Sequence, residues 1–148
     1  MYVTNEGVFL KKFSSIGNLS DFATEYADSI HEATGHVVCI ADRDMVIAVA
    51  GTAKKEFLNK DINQSVASLM ENRKTLLVNS PDIFYPTIEG SEDKLYSINS
   101  AVIAPIVSEG DSIGAVILIS KEEGVKMGDI ELKLAEVMAG FLAKHIEQ

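Results

Sequence analysis

Two apolar runs, His36 to Ala41 and Met45 to Ala50, flank a polar break at Asp42-Arg43-Asp44. Neither run alternates cleanly, and continuous hydrophobicity over so short a span predicts strands covered on both faces. Before them, Leu19, Phe22, Ala23, Tyr26, Ala27, Ile30 and Ala33 recur at i, i+3, i+4, i+7. That spacing predicts an amphipathic helix, with Asn18 as its cap and Gly35 as its stop. After them, Asp61-Ile62-Asn63-Gln64 resembles a capping box opening a second helix that turns Ile62, Val66, Leu69 and Met70 inward and stops near Asn72. Leu76-Leu77-Val78 predicts a short strand. From Ser80 to Leu95 periodicity disappears among two prolines, Gly90 and Glu-Gly-Ser-Glu-Asp, the composition of a long loop that binds something.

Tyr96 to Val107 and Ser112 to Ser120 form a hairpin around Ser108-Glu109-Gly110-Asp111, and Gly114 marks a bulge or a close backbone approach. A last helix is predicted from Asp129 to Glu147, with Ile130, Leu134, Val137, Met138, Phe141, Leu142 and His145 along a broad stripe. The order helix, strands, helix, loop, strands, helix gives an α+β domain: an antiparallel sheet with the terminal helices on one face. The first residues, MYVTNEGVFLKKF, alternate about Thr4-Asn5-Glu6-Gly7 as a hairpin does. A lone hairpin is not stable in water, so residues 1–13 are expected to be a remnant of an upstream unit and residues 14–148 the domain.

Composition changes this picture little. A chain of 148 residues, 47% hydrophobic, fits one domain with a real core. Its apolar runs are far shorter than the roughly 20 residues of a membrane span, and no basic-then-apolar leader opens it, so a cytoplasmic protein with no membrane partner is expected. A net charge of −9 without a basic stripe is a poor footprint for a phosphate backbone. Cys39 is the single cysteine, which excludes an intramolecular disulfide and a cysteine-cluster metal site.

Candidate chemistry is sparse. Asp42 and Asp44 could grip a cation, but the intervening Arg43 and the turn context favour hairpin chemistry. Cys39, in mid-strand among Val and Ile, reads as a small hydrophobe. His31, His36 and His145 share no metal-ligand spacing, so no metal is expected. There is no nucleophile elbow, Walker loop or dinucleotide fingerprint. Asn18-Leu19-Ser20 and Asn63-Gln64-Ser65 are helix starts rather than glycosylation sites. No catalytic residue is assigned; a binding or interaction module is favoured over an enzyme.

Several segments carry a family resemblance: Ser20-Asp21-Phe22-Ala23, Glu25-Tyr26-Ala27-Asp28, Gly35-His36, Ala41-Asp42-Arg43-Asp44, Ile47-Ala48-Val49, Ile113-Gly114-Ala115-Val116, and above all Lys55-Glu56-Phe57-Leu58-Asn59-Lys60 and the closing Gly140-Phe141-Leu142-Ala143-Lys144. Together they resemble the C-terminal GAF domain of the stage V sporulation protein T family, transcriptional regulators of spore-forming Firmicutes. The resemblance covers nearly the whole chain. It implies an upstream AbrB-type swapped-hairpin DNA-binding domain, to which residues 1–13 would belong, and DNA contact only through that domain. It also implies a small-molecule pocket on the sheet face opposite the terminal helices. Asn59-Lys60 matches only the beginning of the cyclic-nucleotide motif of other GAF domains, and the methionine-sulfoxide reductase class needs more cysteines than Cys39 supplies.

Two function classes follow: a sensor whose unknown small-molecule effector shifts the geometry of a DNA-binding oligomer, or an oligomerisation scaffold whose cavity its own side chains fill. For the sensor, Tyr96, Asn99 and Ser100 are expected to meet the ligand, the loop from Ser80 to close over it with Phe84 and Tyr85 as lid, and Asp42 or Arg43 to stand at the rim. The apolar stripes of the terminal helices, Leu19, Phe22 and Tyr26 with Leu134, Met138, Phe141 and Leu142, are expected to pair with a second copy, giving a homo-oligomer, dimer or tetramer.

Overall fold

The computed structural model describes residues 15–79, 86–87, 98–122 and 124–147. The expected hairpin of residues 1–13, and Ser80, Phe84, Tyr85 and Tyr96, lie outside them. In chain order the elements are α1 (Ser15–Thr34), β1 (Val37–Ala41), β2 (Val46–Ala50), the single turn α2 (Lys54–Phe57), α3 (Gln64–Asn72), β3 (Leu76–Val78), β4 (Ser100–Ser108), β5 (Asp111–Ser120) and α4 (Asp129–Glu147). The strands form one antiparallel sheet in the order β2-β1-β5-β4-β3.

Period-two alternation sorts the strands between two cores. Val38 and Ile40 of β1, Val102, Ala104 and Ile106 of β4, and Val116 and Leu118 of β5 join Ala23, Ala27 and Ile30 of α1 and Ala135, Ala139, Leu142 and Ala143 of α4. Their neighbours Cys39, Ala41, Ala101, Ile103, Ala115, Ile117 and Ile119 face the other way, onto Phe57 of α2 and Val66 and Met70 of α3. Hence the unbroken hydrophobicity of β1: a helix layer covers each face. Alanines at i and i+4 on α1, and at i, i+4 and i+8 on α4, let both helices settle close to the sheet without side chains holding them off.

Where backbone chemistry decides, the sequence reading is partly revised. Gly35 ends α1 in the left-handed region at φ 77°. Asn18, expected as the cap, lies inside α1, because the helix starts at Ser15. Asn63 stands at the N-cap of α3 but makes no capping bond with its side chain, so no capping box closes there. Gly114 is the expected close approach: an added Cβ would stand 2.1 Å from the carbonyl oxygen of Ala41. Beside it the β4–β5 register passes from Ile106 opposite Gly114 to Val107 opposite Ser112, leaving Ile113 as the extra residue of a bulge.

The outer edge of β2 is partly covered. The backbone N–H of Val46 donates to the Lys60 carbonyl, Asn59 N–H donates back to Val46, and Met45 bridges Asp61. Asn59 takes a positive φ of 64° to make the turn.

Candidate functional site

A cleft of about 460 Å³ opens at the end of the sheet where β1 begins and β5 ends. Thr34, Gly35 and His36 form one wall as the chain passes from α1 to β1; Gly51 and Thr52, leaving β2, form a second. Ser120, Lys121 and Glu122, leaving β5, form the third, and Val37, Ile119 and Val125 give the cleft apolar surface.

Two of the lining residues converge on a buried carboxylate. Glu56 is only 6% exposed; it accepts from the Thr52 hydroxyl at 2.8 Å and takes the Lys121 ammonium on both oxygens. Lys121 also lies 5.7 Å from the centre of the Phe57 ring, a cation over an aromatic face. Burial of a glutamate is tolerable only with such partners, because an unpaired charge in a dry site costs several kcal/mol, on the order of 3 to 5 when a partner is removed. Nearby Cys39, fully buried, has its thiol pushed far up by burial first and by the Glu56 charge second, Lys121 opposing. It stays protonated and offers no nucleophile.

The cleft is tied to the start of α4. His36 Nε2 lies 3.2 Å from Glu131 Oε2, and Glu131, three residues inside the helix from Gly128, accepts the Gly128 N–H at 2.8 Å, as the N3 member of a capping box does. The Gly128 bond first, and His36 after it, hold the Glu131 carboxyl below the usual glutamate range against its partial burial. The segment between β5 and α4 is fastened by amides and a hydroxyl. Asn99 donates from Nδ2 to the Lys121 carbonyl at 2.9 Å, Ser100 Oγ donates to the Val125 carbonyl at 3.2 Å, and Asn79 both donates to Met127 O and accepts from Met127 N–H, each at 3.0 Å.

Because the folded pKa of Glu131 is lowered, its contribution is fully present above the unfolded value and is lost as pH falls through the folded one. Urea titrations below about pH 4.3 should therefore show wild type losing more stability than Glu131→Gln, by well under about 1 kcal/mol because solvent screens the carboxylate. Parallel pH profiles for the two proteins would show that the bond contributes nothing.

The structure brings some of the expected site residues together and separates others. Asn99 and Ser100 are not among the residues lining this cleft but position the segment from Lys121 to Val125 that is; Ser100 shares strand parity with Val102 and Ala104, the face covered by α1 and α4. Asp42 and Arg43 lie at the opposite end of the sheet: Ser100 pairs with Ser120, whereas Ala41 pairs with Ala115, five residues along β5 and about 17 Å away. Asp42 Oδ1 accepts from the N–H groups of Asp44 (2.7 Å) and Met45 (2.9 Å), an Asx turn, which is the hairpin chemistry expected of it.

Of the expected contact residues on the terminal helices, Phe22, Tyr26, Leu134 and Met138 are half-buried against the first core, and Leu142 is wholly inside it. Phe141 is 52% exposed, and Val137 and Ile130, outside the expected contact set, are 53% and 80% exposed. Tyr26 hydroxyl bonds His145 Nε2, and Phe22 stacks on the His145 ring with centroids 4.8 Å apart, joining α1 to α4. Leu19 lies within α1.

Sequence reasoning missed Glu56, Thr52, Lys121 and the link from His36 to Glu131. Glu56 sits between two lysines and a phenylalanine in a run that reads as a solvated turn. The one available signal was Lys121, a charge placed immediately after the apolar run of β5. Among the described residues no three His, Cys, Asp or Glu side chains converge as metal ligands, and no helix is long and apolar enough to cross a membrane.

Comparison with known proteins places this geometry. Residues 18–147 match the sequence profile of the family described as stage V sporulation protein T C-terminal, transcription factor. The chain is 42% identical to stage V sporulation protein T of Bacillus subtilis (strain 168), an alignment covering all of this chain and 80% of that protein. Among solved structures, the GAF domain of a phosphoenolpyruvate-protein phosphotransferase from Coxiella burnetii superposes with a TM-score of 0.71 at 13% identity, over 87% of this chain and 82% of that one. A GAF domain/HD domain protein from Geobacter sulfurreducens gives 0.68 at 13% identity, over 93% and 97%. At such identities the likeness shows the fold alone: a GAF fold.

Proposed function

Because this chain belongs to the stage V sporulation protein T C-terminal family of transcription factors and has a GAF fold, we propose that it is the ligand-sensing and oligomerising domain of a cytoplasmic sporulation regulator. DNA would be read by an upstream domain, since −9 net charge suits no phosphate backbone. No reaction is assigned to it. The observation that carries the sensing reading is the cleft between Thr34 and Lys121, two of whose lining residues, Thr52 and Lys121, bond the buried Glu56. A metabolite there would touch His36, which is bonded to Glu131 of α4, and Val125, in the segment that leads into α4, and α4 carries the exposed apolar residues Ile130, Val137 and Phe141. Binding that favours one placement of α4 over another shifts the population of oligomer geometries.

The scaffold reading keeps one observation of its own. On the sheet face opposite the terminal helices, Phe57, Val66 and Met70 fill the described core themselves. Native mass spectrometry of protein purified from a sporulating host separates the two. A sensor retains a small-molecule mass, while a scaffold shows only bare subunits. The same spectra should show at least a dimer for wild type, and Phe141→Glu should weaken it about tenfold or more, since a charge would enter a buried apolar contact. A wild-type monomer at high concentration would end the oligomerisation reading.

A further inference from the structure

The far end of the sheet holds a second cleft, of about 380 Å³, where the C-terminus of α3, the β1–β2 turn and the β4–β5 hairpin meet. Four charged side chains line it: Arg43, Arg73, Glu71 and Asp111. None of them forms an ion pair with another, and Arg43, Glu71 and Asp111 have no hydrogen bond from their side chains among the described residues. Arg73 is held differently. It ends α3 in the left-handed region at φ 54°, a position that suits glycine or asparagine better than arginine. Its Nη1 donates to the Gly110 carbonyl at 2.8 Å, which fixes the guanidinium over the cleft while leaving most of its donors unused. The apolar surface comes from Met70, 4% exposed, and half-buried Ala67.

We propose that this cleft binds a small zwitterion of the amino-acid class. A carboxylate takes the planar N–H forks of Arg43 and Arg73, as guanidinium pairs do. An ammonium turns to Glu71 and Asp111, where the negative end of α3 adds to the attraction. The side chain lies on Ala67 and Met70. The Ser112 hydroxyl is already committed to the Met70 carbonyl and braces the hairpin against the helix end. This site stands apart from the cleft at Lys121, so either can fail without the other.

The test is amide-resolved NMR titration of the full chain with each of the twenty free amino acids at millimolar concentration. Each one that binds is compared with its N-acetyl and its amide derivative. At least one free amino acid should shift the signals of Arg43, Met70 and Ser112, and both derivatives should bind about tenfold more weakly, each having lost one charge-assisted contact. Arg73→Gly supplies the residue its backbone prefers, so the helix end survives while the guanidinium is gone; it should lose the same factor, as should Arg43→Gln. No shift with any free amino acid overturns the proposal. So does equal binding of the N-acetyl derivative, which would mean a carboxylate is read and an ammonium is not.

Discussion

Gly114→Ala should lower stability by about 3 kcal/mol, at the upper end of what one added methyl does in a packed interior. The new Cβ would meet the Ala41 carbonyl oxygen at 2.1 Å, with the carbonyl carbon at 3.2 Å and the Asp42 Cα at 3.3 Å behind it. All three are backbone atoms of the last residue of β1 and the one that follows it, so no side chain can rotate aside; β1 and β5 must separate at the bulge. Urea unfolding should show a lower midpoint with unchanged slope, and the melting temperature should fall by about 6 to 12 °C. Gly140→Ala is the control: nothing lies within 4 Å of its would-be Cβ on α4, and the helix should gain up to about 1 kcal/mol. Equal stability of Gly114→Ala and wild type would show that the approach relaxes freely.

Lys121→Met should cost about as much by a different route. It removes the ammonium from Glu56, whose side chain is 4% exposed, while that of Lys121 is 27% exposed. Deleting one member of a buried pair leaves the other charge stranded, a loss of about 3 kcal/mol here, the low end for such pairs because Lys121 reaches solvent. Changing Glu56 to glutamine in the same chain should recover most of it, because the remaining amide is neutral. Thr52→Val should cost about 1 kcal/mol, the scale of one hydrogen bond to the same carboxylate. A double variant no more stable than Lys121→Met alone would show that lysine acts through its stem on Phe57 and not through its charge.

Much of the fold could be read from the chain because it rests on short-range periodicity. Continuous apolar runs announced the strands of a doubly covered sheet, 3.6-residue spacing announced α1, α3 and α4, and Gly114 announced a place where two backbones touch. The single turn α2 escaped because four residues carry no period, and Lys54-Lys55-Glu56-Phe57 has the composition of a surface turn. The site was harder still. Asn99 and Ser100 bond the segment that follows β5, but Glu56 and Lys121 meet across 65 residues of sequence. Nothing local in either segment encodes that meeting. Arg43 and Asp42 were assigned to the same rim as Asn99 because pattern gives strands without saying which ends coincide; the register puts them at opposite ends.

The covered edge of β2 bears on what this chain avoids. An open sheet whose outermost strand is apolar invites another chain to continue the ladder, the first step toward runaway fibrous association. Here Asn59, Lys60 and Asp61 occupy part of that position, exchanging hydrogen bonds with Val46 and bridging Met45 in place of an intruder. At the opposite margin β3 is only three residues long, a short template for addition. Both described margins of the sheet are thereby poor templates for an added strand. The Val46 amide, on an outermost strand, should accordingly exchange its hydrogen slowly, like an interior one.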